Sequence, residues 1–389
     1  VSLADAAWSL LEGAIAHYGD NPRADGFLRA QLTRLDGPLR LAVVGPPRSG
    51  RTTLLAAVLG DHVDTDRVVV DWPGAVELVD GGGPDADALL VLAPSPASAE
   101  ARPPQDHPIA RATPVSALRV LSRADEFGGG RVDAMVSARQ AARRYAREPD
   151  TSYVDTIAVD GLLGLAASTM TVGEANLLER LGALPKQAID PHLLSTDRFT
   201  GETFPDTTPP TPRADLVSRF GLFGVRLATT LARRGVRAGA LAEELVRTSG
   251  IGELRAAIGT AFVDRSDALR ARTALIALDI VLRREPRPST APLAADLERV
   301  LAGAHDLREL RLLADLRAKR VDLGDTTDEA IHLLGGAGTH PATRLTLSGD
   351  PYQALLRWRT HAESPYTESP ERQAAAVVTR SLEQIVAAA

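Results

Sequence analysis

Apolar residues at the start of the chain recur at helical spacing: Leu3, Ala7, Leu10, Leu11, Ala14, Ile15 and Tyr18, then Phe27, Leu28, Leu32 and Leu35. That period puts one apolar stripe on each of two helices. Asp36-Gly37-Pro38 ends the second. The pattern predicts a helical hairpin that needs a partner surface. From Leu39 it changes to short unbroken apolar runs at 39–44, 68–70, 89–92, 118–121 and 154–159. These predict five buried strands, with helices at 54–59 and 132–147 between them. Strands alternating with helices imply a mostly parallel sheet covered on both faces. After about residue 215 only helical periodicity remains, at 222–231, 241–246, 251–263, 269–282, 293–301, 307–316 and 374–386. Proline-rich stretches at 93–114, 205–213 and 286–292 read as loops. The expected architecture is an α/β head at 38–262. N-terminal neck helices at 1–37 and a helical neck or trunk at 263–389 flank it, and helices at both chain ends can pack as one bundle.

Composition narrows the class. Hydrophobic residues make up 44% and charged residues 24% of the 389, an ordinary globular balance. The absence of cysteine excludes disulfides, thiolate metal sites and thiol nucleophiles. A formal charge of −6 argues against a nucleic-acid partner. Asp5 and Glu12 interrupt the first apolar pattern, so it does not read as a signal peptide, and no apolar run reaches the ~18 residues of a membrane span. The expectation is a cytoplasmic protein, with peripheral attachment to the inner membrane face left open. Of 44 basic residues only Lys186 and Lys319 are lysines. The eight histidines form no i, i+4 pair, so no metal site is read from them.

The first strand runs into Gly45-Pro46-Pro47-Arg48-Ser49-Gly50-Arg51-Thr52-Thr53, and helix formers follow. This is G-x-x-x-x-G-R-T in the place of G-x-x-x-x-G-K-[ST], the phosphate loop. Its glycines let backbone N–H groups close around phosphates at a helix N-terminus, and the Thr52 hydroxyl is the expected Mg²⁺ ligand. Arg51 stands where lysine is expected, an exchange of a compact charge for a longer planar fork. Asp71-Trp72-Pro73-Gly74 reads as D-x-x-G at a strand end, the Asp toward Mg²⁺ and the Gly toward the γ-phosphate. Ser122-Arg123-Ala124-Asp125 is similar to [NT]-K-x-D, whose Asp accepts two guanine hydrogen bonds; a simple helix cap is its plainer reading. The expected nucleotide-binding set is therefore Gly45, Arg48, Ser49, Gly50, Arg51, Thr52, Thr53, Asp71, Gly74, Ser122, Arg123 and Asp125, with Thr52 and Asp71 on the metal and no catalytic residue assigned.

With these motifs the chain resembles the bacterial dynamin-like GTPases, and among them the isoniazid-inducible class. "VLSRADE" at 120–126, "RFGLFGVR" at 219–226 and "SGIGELRAAI" at 249–258 carry the resemblance, which runs from the first helix to about residue 330. It implies a GTPase-type head on a helical neck, GTP or GDP with Mg²⁺ as ligands, and a role at membranes beside a second dynamin-like protein or a second copy.

Departures from that family shape the expectation further. Only residues 54–70 separate the phosphate loop from Asp71. With 54–59 taken by the helix and 67–70 by the strand, residues 60–66 span at most ~25 Å, too little for a loop up to the phosphates and an edge strand down. On that reading the antiparallel second strand and switch I are lost, and Thr65 lies at the wrong end. The family's Gln-Ser pair in the loop is replaced by Pro47 and Arg48. The expectation is a degenerate head that binds nucleotide but hydrolyses it weakly or not at all. The alternatives are an active GTPase using Arg51, Arg48 as an internal positive finger, a nucleotide-free scaffold, or a small-molecule P-loop kinase. Arg139, Arg143, Arg144 and Arg147 mark one helix face, read as solvated, with phosphate lipid or a partner as the minor alternative. Trp72 reads as packing against the head or marking a dimer surface, and 333–347 as a bundle-tip loop.

Overall fold

The apolar runs pair into one six-stranded sheet in the computed structural model, which describes residues 2–61, 65, 67–71, 74–82, 86–95, 98, 103, 107–148, 152–365 and 368–388. Trp72 and His62 lie outside these residues, as does the side chain of Asp71. The chain opens with α1 (Leu3–Tyr18), capped by reciprocal Ser2 and Asp5 bonds, and α2 (Pro22–Leu35). The head follows as β1 (Leu39–Val44), α3 (Arg51–Leu59), β2 (Arg67–Asp71), β3 (Ala75–Asp80), β4 (Ala88–Leu92), α4 (Pro108–Ala112), β5 (Ala117–Leu121), α5 (Ala134–Ala146) and β6 (Asp155–Ala158). Helices then run to the end: α6 (Gly161–Ser168), α7 (Val172–Gly182), α8 (Lys186–Ile189), α9 (Thr196–Thr200), α10 (Pro210–Arg233), α11 (Ala238–Ser249), α12 (Ile251–Ala261) and α13 (Ser266–Arg284). After them come α14 (Ala291–Gly303), α15 (His305–Arg317), α16 (Thr327–Leu333), α17 (Pro341–Arg344), α18 (Pro351–Glu363) and α19 (Ser369–Ala388). Gly221, at φ +65°, breaks α10 in two.

The strand order is β2-β3-β1-β4-β5-β6. β3, β1, β4, β5 and β6 are parallel, and β2 is antiparallel to β3 at the edge. This corrects the expectation that the second strand is lost. Residues 68–70 do form a strand, but it descends from the phosphate end of the sheet instead of rising to it. Arg67 opposes Val79 and Asp71 opposes Ala75, so β2 ends and β3 begins at the far end. Because β2 itself makes the descent and Asp71 lies at the far end, the link between α3 and β2 has only the ascent to cover. A nine-residue α3 descends only about 13.5 Å, less than the ~25 Å that seven residues can return.

One apolar cluster joins a sheet face (Leu41, Leu78, Leu90, Leu118) to α12 (Leu254, Ile258), α13 (Leu275, Leu278) and α1 (Leu11, Ala14). The Tyr18 hydroxyl ties the end of α1 to the Glu285 carbonyl at 2.7 Å. Head and neck thus share a core. A second cluster gathers α5, α6, α7, α10 and α11. A third joins α15 and α16 to α18 and α19. The 333–347 segment is not an open tip. Leu333 and Leu334 are buried, and Arg344 reaches back to the Leu333 carbonyl at 2.6 Å.

Candidate functional site

The glycine-rich loop expected to hold phosphate follows β1. Gly45 has no room for a side chain: a Cβ there would lie 2.8 Å from Ser49 Oγ and 2.9 Å from Leu92 Cβ. The loop closes on itself through Ser49 N–H to the Pro46 carbonyl, with Arg48 at φ +63° and Gly50 at φ +89°. Gly50 is the residue before α3, and its carbonyl accepts from Leu54 N–H. The first-turn N–H groups of α3 lack side-chain caps, the usual arrangement for receiving an anion. Arg51 donates to the Gly45 carbonyl at 3.3 Å, bracing the loop.

Asp80 is the residue the sequence reading missed. It ends β3 opposite Val43, beside the phosphate loop. Thr52 Oγ1 donates to its Oδ2 at 3.0 Å, and Arg51 Nε lies 3.0 Å from its Oδ1, off the line of a hydrogen bond. Asp80-Gly81-Gly82-Gly83 is itself D-x-x-G, nine positions after the one chosen. That second occurrence, behind the alternating Val76 and Leu78, was the signal available. Asp71 and Gly74 are corrected accordingly. Both lie at the far end of the sheet, where a Cβ on Gly74 would meet Val263 of the neck at 3.3 Å. Neither is placed to meet a metal or a γ-phosphate at the loop. Thr65 is corrected too: it precedes β2 at the phosphate end, its hydroxyl on the Arg67 carbonyl at 2.9 Å.

The remaining expected residues converge. Arg48, Ser49, Gly50 and Thr53 line one cavity of about 230 Å³ together with Ser122, Arg123 and Asp125. Its back wall is Asp160 and Gly161, where α6 begins against α3. Ser49 Oγ and Ser122 Oγ are both buried and lack a protein hydrogen-bond partner. Two such hydroxyls in one cavity call for a polar ligand. Arg123, in a left-handed conformation (φ +54°), pairs with Glu126. Burial, and then the Glu126 charge, raises the Asp125 carboxyl above its ordinary range. Asp160 caps α6 by accepting from Leu163 N–H at 3.0 Å. Burial, reinforced by the Asp125 charge, pushes its pKa up to about 7.

Over its full length the chain is 29% identical to isoniazid-induced protein IniC of Mycobacterium tuberculosis, found in two strains. The alignment covers 100% of this chain and 99% of the relative. It runs over 488 positions against 389 residues here, so the relative carries segments that this chain lacks. No protein-family model matches, and no solved structure matches. Similarity to IniC, a dynamin-like protein, agrees with the resemblance read from the motifs.

Proposed function

We propose that this chain is a dynamin-like guanine-nucleotide-binding protein with slow or absent hydrolysis. The observation that carries the reading is convergence: Arg48, Ser49, Gly50 and Thr53 of the loop meet the Ser122–Asp125 segment around a cavity with two unpartnered hydroxyls, and the Thr52–Asp80 pair stands beside it on the first turn of α3. At about 230 Å³ the cavity is smaller than the ~300 Å³ lower bound of whole-ligand pockets. It suits a base and sugar, with phosphates lying over the open loop.

The donor set fits Mg²⁺, because the Thr52 hydroxyl and Asp80 carboxylate are hard oxygen ligands. When bound, Mg²⁺ would neutralise phosphate charge there. Arg51 is then to release Asp80 and turn to the phosphates, which its fork can grip bidentately. Asp125 is to accept from the guanine edge and Ser122 to meet the sugar or base. The case for weak hydrolysis rests on Arg51, Pro47 and Arg48. A switch threonine need not be missing, since Thr65 stands at the phosphate end. Pro47 has no N–H, and exposed Arg48 is not a water-orienting group. From the resemblance we carry over a role beside a second dynamin-like protein, or a second copy, at a membrane surface. None of the described helices is long and apolar enough to cross a membrane.

Single-turnover GTP hydrolysis tests the catalytic half, and a rate equal to that of an intact dynamin-like GTPase refutes it. Asp125→Asn tests base reading: preference should shift from guanine to xanthine nucleotide, and an unchanged guanine preference removes Asp125 from the site.

A further inference from the structure

At the end of the sheet opposite the phosphate loop, α5 and the start of β6 face α12 and the C-terminal end of α15 across a cavity of about 520 Å³. Five cations line it against two carboxylates. Arg139 is committed to Glu253 (3.0 Å) and to the Arg247 and Thr248 carbonyls, and Arg317 to Thr260 Oγ1 and the Gly336 carbonyl. Arg143, Arg147 and Lys319 have no carboxylate partner among the described residues, and all three are exposed. Asp155, the second carboxylate, is half-buried, and desolvation raises its pKa. On the floor, the buried Thr156 Oγ1 lacks a partner.

Such clustering is not a background effect, because the chain is net negative at −6. Arg143 lies in the last turn of α5 and Arg147 is the residue that follows it, four positions on, so both guanidinium groups leave the same end of the helix. Lys319, at φ +56°, is the left-handed residue that ends α15, its N–H on the Leu316 carbonyl and that of Arg320 on the Asp315 carbonyl. Three exposed cations without a carboxylate partner, around a cavity with an unsatisfied buried hydroxyl, are the features of an anion site.

We propose that this cleft binds a phosphate-bearing ligand: the two arginine forks grip oxyanions, Lys319 adds a point charge and Thr156 donates from below. The phosphate can belong to a soluble phosphoester or to a lipid headgroup. The site is separate from the nucleotide cavity and does not depend on that reading.

The rarity of lysine supplies the assay. Amine acetylation of the full chain, read by mass spectrometry, reports on Lys319, with Lys186 as the internal control, 72% exposed. Pyrophosphate, or phosphatidylcholine vesicles containing phosphatidic acid, should slow acetylation of Lys319 and leave Lys186 unchanged. The expected slowing is roughly tenfold, that of a one-unit rise in amine pKa. Vesicles of phosphatidylcholine alone should not protect. Protection by pyrophosphate identifies the soluble source, and protection by the acidic vesicles alone the lipid source. The exposed double variant Arg143→Gln/Arg147→Gln should lose the protection, and Arg51→Ala, in the distant loop, should keep it. Absence of protection by either probe, its persistence in the double variant, or its loss in Arg51→Ala overturns the proposal.

Discussion

Gly250, inside the 249–258 motif, is where α11 hands over to α12, and it touches the back of the head. Its φ is +80°, and an added Cβ would lie 2.2 Å from the Ala158 carbonyl oxygen of β6 and 3.3 Å from its carbon. Both obstacles are backbone, so neither can rotate away. Gly250→Ala costs about 1–2 kcal/mol for the left-handed conformation and about 1–3 kcal/mol for the overlap. A loss near 3 kcal/mol is expected. With a urea m-value of about 3 kcal/mol/M, the midpoint followed by circular dichroism should fall by about 1 M. Gly252→Ala is the control: nothing lies within 4 Å of its added Cβ and its φ is ordinary. There alanine should be neutral or gain about 0.5 kcal/mol from helix propensity. The Ser249 carbonyl also accepts from Asp160 N–H at 2.9 Å, so Gly250→Ala should disturb the cavity that Asp160 lines as well. A midpoint for Gly250→Ala within about 0.2 M of wild type would refute the close-packing argument.

Three further outcomes follow from the geometry. Asp80→Asn should weaken Mg²⁺-dependent nucleotide binding at least about tenfold, roughly 1.4 kcal/mol, while Asp71→Asn leaves it unchanged; the reverse result restores the first D-x-x-G. Glu309 of α15 is buried among Arg344, Ser381, Arg265 and His305. Burial pushes its carboxyl up, but His305, Arg344, Ser381 and Arg265 outweigh that and hold it at about 2 instead of 4.5. A depressed acid stabilises above its unfolded pKa, so about 3 kcal/mol present near neutrality is lost as pH falls from 4.5 toward 2. Glu309→Gln strands two arginines, at about 3–5 kcal/mol near neutrality, and its deficit in urea melts should shrink below pH 4. Asp160 has the opposite sign. Its pKa rises from 3.8 to about 7, so ionisation penalises the folded state as pH climbs through that window. Asp160→Asn keeps an oxygen for Leu163 N–H and should gain about 2–4 kcal/mol above pH 7 and nothing below pH 4; a pH-independent gain would rule out this titration.

The strands around the phosphate loop were legible because β1, β4 and β5 are buried on both faces and read as apolar runs. The β2–β3 hairpin misled for the converse reason. Val68–Val69–Val70 looks like a central strand, yet Val69 is 64% exposed at the sheet edge. β3 carries Glu77, which reads as polar linker. In the fold Glu77 bridges Arg40 of β1 at 2.6 Å and Arg67 of β2 at 3.0 Å, and only Val76 and Leu78 turn inward. A cross-strand ion ladder leaves no local signal, so Asp80 was passed over for Asp71. Within the loop and the Ser122–Asp125 segment, residue types and order sufficed to pick out residues that line one cavity. Asp160 was invisible because its burial comes from α6 and α11 folding over it. The shared core of head and neck was equally hidden, since periodicity shows which face is apolar but not what covers it.

Isothermal titration of the purified chain with GDP and GTP, with Mg²⁺ and with EDTA, tests the central claim most directly. The account predicts saturable binding of one guanine nucleotide per chain, abolished by Gly45→Ala, whose Cβ would collide with Ser49 and Leu92. No binding of either nucleotide at millimolar concentration, with or without Mg²⁺, would contradict it and leave the head a scaffold.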